Sequence, residues 1–222
     1  MGPLWLSFKL AAIVAAILLA LALPLAFWLS RSQWRGKFLL EAIVALPLVL
    51  PPTVLGFYLL VAFGSRGFLG QFWLALFGHS LAFTFEGLVV ASAIYSLPFA
   101  VQPLLASFES VDPKLLQASA VLGASRWRTF WRVVLPLSLP GVVTSVVLTF
   151  AHTLGEFGVV LMVGGNLPGI TQTVSIAIYD RVQALDYSAA NHLALILLLI
   201  SFVVLSLVYS LNRRLWTPWP LK

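Results

Sequence analysis

The sequence predicts an all-α integral membrane protein, a single domain over residues 1–222 with about five transmembrane helices. Composition is the first observation behind that reading. Of 222 residues, 61% are hydrophobic and 9% charged, with a mean hydropathy of +1.02, where a soluble domain carries about 25% charged residues. That much apolar side chain exceeds what one aqueous core can hide, so the bilayer is the solvent. The second observation is five apolar runs, near Trp5–Leu29, Phe38–Phe63, Leu81–Ser107, Leu137–Val163 and Ala189–Leu211. Each is close to the ~20 residues that cross a ~30 Å hydrocarbon core. The third is charge placement. Arg31, Arg35 and Lys37, then Lys114, Arg126, Arg128 and Arg132, then Arg213, Arg214 and Lys222 put ten of the 13 basic residues in alternate loops. Such loops face the cytoplasm, which puts the N-terminus outside and the C-terminus in the cytoplasm. The net charge of +6 is therefore a topology signal directed at membrane lipid, and no nucleic acid partner is expected.

Taken in order, the first run contains ALALPLA at 20–26, whose small-residue spacing a signal peptidase could accept. No basic segment precedes the run, and its charges follow at Arg31 and Arg35, the pattern of a retained anchor with its N-terminus outside. The second run carries Pro51 and Pro52 in mid-span. Prolines there remove amide donors and leave carbonyls that protein or water must cover. Broken helices of this kind line transport paths; a plain kink against a neighbouring helix is the other reading. FLGQFWLALFG at 68–78 is too short to span and is expected along the outer interface. The fourth run holds His152, Gly155, Glu156 and Gly158. Both glycines permit close helix approach. After it, residues 171–187 place Asp180, Arg181 and Asp186 in one helical stretch. Charges at a helix centre cost ~2.5–3.5 kcal/mol each on insertion, so an external or re-entrant helix is expected.

The loop at about 108–136 is long, basic and rich in small residues. Asp112 suits a helix N-cap and Pro113 the first turn. Gly123 suits a left-handed stop, Ser125 caps a second helix, and Pro136 ends it or begins the next span. Two short helices with a glycine joint are therefore expected. Ala118, Ser119 and Ala120 would offer another protein a low-relief surface, and Arg126, Arg128 and Arg132, interleaved with Trp127 and Trp131, suit the lipid headgroup boundary. An amphipathic loop that only obeys the charge rule is the plainer alternative.

This loop resembles the cytoplasmic coupling motif of ABC importer permeases, the inner-membrane components of binding-protein-dependent importers. In that motif a Glu-Ala-Ala element precedes a glycine, with an aliphatic residue and a Leu-Pro pair following. Gln117-Ala118-Ser119, Gly123-Ala124, Val133 and Leu135-Pro136 stand in register, with glutamine and serine as departures. LPLVLPPTVLGFYLL at 46–60 and HTLGEFGVVLMVGGNLPGITQT at 152–173 further resemble the molybdate permeases of that family, with sulfate and tungstate permeases as near relatives. The resemblance implies a permease subunit of an ATP-driven importer that moves molybdate across a bacterial or archaeal cytoplasmic membrane; a permease for tungstate or sulfate is the alternative. It implies a homodimer, two ABC ATPase subunits docked on the coupling loop, and a periplasmic or extracellular molybdate-binding protein.

No catalytic, cofactor or metal residues are expected. The chain has no G-x-x-x-x-G-K-[ST] and no G-x-G-x-x-G, so ATP hydrolysis belongs to a partner. It also lacks H-E-x-x-H, G-x-S-x-G and any cysteine, which leaves an intramembrane hydrolase or a non-transporting membrane scaffold as remote alternatives. Pro51, Pro52, Gly155, Glu156 and Gly158 form the candidate path or gate. A carboxylate facing a dianion would repel it, so Glu156 is read as a structural or gating group that accepts hydrogen bonds from a neighbouring helix or stays protonated. His152 lies one turn away. Two ligands without a third make a poor metal site, and a histidine hydrogen-bonded within the bundle is the alternative.

Overall fold

The structure, a computed structural model, describes residues 2–215. Lys222, and with it the end of the chain expected in the cytoplasm, lies outside the described residues. Among the described residues, three helices are long and apolar enough to cross a membrane: α1 (Pro3–Arg31), α5 (Phe85–Glu109) and α12 (Tyr187–Leu215). The other two expected spans are interrupted. The second run divides into α2 (Lys37–Val49) and α3 (Pro52–Phe63), inclined at 110°. Pro51 is the extended N-cap of α3 and Pro52 its first residue, so the proline pair produces a break sharper than a kink. The fourth run, expected as Leu137–Val163, is α9 (Leu139–Gly155), a two-residue interruption at Glu156 and Phe157, and α10 (Gly158–Gly164). Between α3 and α5 lies α4 (Phe68–Phe77), ten residues long and largely exposed.

Helix α5 is the centre. It packs on α1, α9, α10 and α2, and Leu88, Leu104 and Phe108 of α5 join Leu10, Leu18 and Leu29 of α1 in a fully buried core. Lipid tails are as apolar as these residues, so van der Waals fit and interhelical hydrogen bonds hold such contacts. Ser145 of α9 donates to the Ala100 carbonyl of α5 at 2.8 Å, and a Cβ on Gly141 would lie 2.3 Å from that of Ser107, so α9 and α5 cross almost backbone to backbone. The basic loops converge on one end of the bundle. Arg31 donates to the Phe108 carbonyl (3.3 Å), and Lys37 reaches both Glu41 and Glu109 at 3.2 Å.

The stretch at 171–187 is corrected in part. Its helix is α11 (Val174–Gln183), which contains Asp180 and Arg181 but not Asp186. Leu185 has φ +58°, the chain turns there, and Asp186 accepts from the Ala189 amide at the start of α12 (3.1 Å).

Candidate functional site

Residues 108–136 fold as the capping residues dictate. Asp112 accepts from the Lys114 amide (2.8 Å) and opens α6 (Pro113–Val121). Gly123, at φ +77°, stops it in a left-handed conformation that costs other residues about 1–2 kcal/mol. Ser125 accepts from the Arg128 amide (3.3 Å) and opens α7 (Arg126–Thr129). A π-helical turn, Phe130–Val134, and the short α8 (Leu135–Leu137) follow. Pro136 lies inside α8, and the chain bends by 72° at Ser138 on entering α9.

The loop has a displayed half and an anchored half. Gln117 and Ala118 are exposed, and Val121 and Leu122 are 87% and 85% exposed, large apolar residues that composition alone did not single out. Ser119 differs from expectation: it faces inward, its hydroxyl 2.8 Å from that of Thr129, and ties α6 to α7 instead of joining the displayed surface. The anchored half is held by aromatic packing. Phe130 lies 4.8 Å from Phe27 of α1 and 6.1 Å from Phe108 of α5 between ring centroids, and Val134 is fully buried. Val133 and Leu135 are half-buried and Pro136 is exposed. Ser138 is buried and exchanges long hydrogen bonds of 3.4 Å with Ser107 of α5.

At its far end α9 meets the second cluster. A cavity of about 440 Å³ is lined by Pro52, Tyr95, His152, Gly155, Glu156 and Gly158, with Thr53 and Phe157. The structure thus brings together four of the five expected path residues, and Pro51 stands directly before Pro52. Thr53 and Tyr95 were missed, since nothing in their local sequence marks them. Gly158 is a close-approach glycine: a Cβ there would lie 2.6 Å from the Pro52 Cβ. Gly155 is not, because nothing stands within 4 Å of where its Cβ would be.

The helix from whose donors Glu156 accepts is the next one in the chain, α10. Glu156 is 5% exposed, and its Oε1 accepts from the amides of Val159 (2.7 Å) and Val160 (3.3 Å) in that helix. It therefore satisfies two of the amides that a helix start leaves unpaired. Its other oxygen and the neighbouring Ser92 hydroxyl make no hydrogen bond of good geometry. His152 is a bundle histidine: its Nδ1 lies 2.9 Å from Ser96 Oγ, which lies 2.9 Å from Thr153 Oγ1, and its ring stacks on Phe99 at 4.0 Å. The turn Asn166-Leu167-Pro168-Gly169 is pinned to α11, Asp180 accepting from Asn166 (2.6 Å) and Gln172 (3.0 Å).

Two broken spans meeting at a cavity, joined through α9 to a capped basic loop, suit a helical transport permease. The chain belongs to the family described as binding-protein-dependent transport system inner membrane component, which matches residues 8–217; it is accordingly a multi-pass inner-membrane protein. It is 51% identical over 208 residues to the molybdenum transport system permease protein ModB of Azotobacter vinelandii, covering 94% of this chain and 92% of that one. It is 38% identical over 206 residues to the sulfate transport system permease protein CysT of Escherichia coli K12, covering 92% and 74%. Among solved structures, the MetNI methionine ABC transporter in an inward-facing conformation matches with a TM-score of 0.75 at 16% identity, covering 96% and 94%, a likeness of fold.

Proposed function

We propose that this chain is the permease subunit of an ATP-driven ABC importer that carries molybdate across a bacterial or archaeal cytoplasmic membrane. The substrate rests on one observation, 51% identity to a molybdenum permease over 94% of the chain. Two copies of the chain would face each other, each docked on one of two ATPase subunits through the displayed half of the coupling loop, with a molybdate-binding protein on the opposite side. Val121 and Leu122 support that docking, because large apolar side chains so exposed on a polar loop mark a partner surface. The anchored half then carries the ATPase movement through α8 and the bend at Ser138 into α9. The far end of α9 supplies His152 and Gly155, and the interruption after it Glu156, to the cavity beside Pro52, so closure of the ATPase pair is felt where the two spans are broken. Selectivity would reside mainly in the binding protein, since a tight site along the path would trap the ion.

The test is uptake by the reconstituted complex of permease, ATPase and binding protein, with molybdate, tungstate and sulfate in competition. Molybdate is expected to be imported at the cost of ATP and sulfate to compete poorly. Equal competition by sulfate would assign the chain to a broader oxyanion permease, and absence of ATP-dependent uptake would leave a membrane scaffold.

A further inference from the structure

The basic end of the bundle carries two adjoining hollows that the transport reading does not use. One, of about 530 Å³, opens between the end of α1 and the back of α6 and α7, and both Arg31 and Arg126 line it, with Ser32 and Thr129. The other, of about 420 Å³, is an apolar groove formed by Ala20, Leu23 and Pro24 of α1 against Trp127, Phe130 and Trp131. The two share Phe27 and Arg126, so a charged compartment runs directly into a greasy one at the end of a membrane span.

Charge in the first compartment is unmatched. Of the three acids near this end, Glu41 and Glu109 both pair with Lys37, and Asp112 caps α6. Among the described residues, neither Arg31 nor Arg126 has a carboxylate within ion-pair distance. Arg31 is oriented by its bond to the Phe108 carbonyl, and an arginine's remaining donors suit a phosphate. A ligand that fits both compartments carries a phosphate at one end and an acyl chain at the other.

We propose that this site binds one anionic phospholipid, its phosphate between Arg31 and Arg126 and an acyl chain along the groove of α1 beneath Trp127 and Phe130. A free phosphate shares the headgroup chemistry but leaves the apolar groove unfilled, so the lipid is the occupant. Bound there, it bridges α1 to the start of the anchored half of the loop and stiffens the step from α7 to α9.

The test uses the full-length chain, reconstituted in phosphatidylcholine bilayers containing phosphatidylglycerol, extracted in mild detergent, with retained lipid counted by native mass spectrometry. Phosphatidylglycerol should be retained over phosphatidylcholine. Arg126→Gln should lower that retention about fivefold, the change that ~1 kcal/mol per basic residue near an anionic surface corresponds to. Ala20→Trp, a change at an exposed position that fills the groove, should lower it as well. Arg128→Gln removes the same charge from the same loop outside both hollows and should leave it unchanged. Equal loss with Arg128→Gln would reduce the effect to general surface charge and overturn the site. Full retention in Ala20→Trp, or displacement of the lipid by inorganic phosphate, would overturn the acyl groove and with it the lipid assignment.

Discussion

At the residue scale, Glu156 and the two glycines beside it make separable predictions. Glu156 caps a buried helix start through one oxygen, and Glu156→Gln keeps a carbonyl in that place. Uptake by the reconstituted Glu156→Gln complex should therefore stay within about threefold of the parent, a loss below the ~1 kcal/mol typical of a missing cap. Glu156→Lys presents donors to donors and should impair assembly. Abolished uptake in Glu156→Gln, with the complex intact and hydrolysing ATP, would make proton exchange at this carboxyl essential instead. Gly158→Val drives a side chain into Pro52 and should lower the yield of folded permease, whereas Gly155→Ala enters open space and should leave yield and uptake near normal. An acid in an apolar run was legible as an oddity from sequence. Its partner was not, because the run stays apolar on both sides of residues 156 and 157 and hydropathy carries no mark of a helix break. The same blindness made Gly155 and Gly158 look equivalent: spacing tells how close a neighbour could come, never whether one is there.

At the scale of elements, the basic loop was the most legible part of the chain. Its signals are local: Asp112, Pro113, Gly123 and Ser125 each act on the backbone within a few residues, and all four stand where their chemistry requires. What faces outward is a tertiary matter, and there the inward Ser119 and the displayed Val121 and Leu122 went unread. Gly123 has free space around it, so its substitutions act through backbone strain alone. Gly123→Asn, which tolerates positive φ, should keep ATP hydrolysis coupled to uptake. Gly123→Val should insert normally yet weaken ATPase co-purification or raise the ATP spent per ion imported. Ala118→Trp places bulk on the displayed face and should act likewise. Equal coupling in all three variants would reduce the loop to a charged tether.

For the whole molecule, the five expected crossings match the upper count among the described residues, three long helices plus two bent pairs, α2 with α3 and residues 126–137 with α9, and Arg31, Lys37 and the end of α5 meet at one end of the bundle. Long apolar runs and charge alternation report length and sidedness, which is why the number of crossings was readable. The division of the second and fourth was only half readable: Pro51 and Pro52 announce one break, while Gly155 and Gly158 flank the other and were read only for close helix approach. Sidedness is open to a direct check, because the chain has no cysteine. A single cysteine replacing Ser125 should resist an impermeant thiol reagent in intact cells and react after permeabilisation, and one replacing Asn166 should react in both. Labelling at position 125 in intact cells would invert the assigned orientation.

The contact of Gly158 with Pro52 sets the two chain breaks side by side, and α10 then runs alongside α3 in the same direction, Val159 and Met162 against Gly56. Each helical ladder already stops at that level, α2 before Pro51 and α9 before Glu156, and restarts in α3 and α10, while Pro47 leaves one further gap within α2. Tilting the parts below that level against those above it therefore breaks no ladder, while bending α3 or α9 within its length would forfeit bonds worth about 1 kcal/mol each. The molecule has a waist, the level at which both crossings are already interrupted.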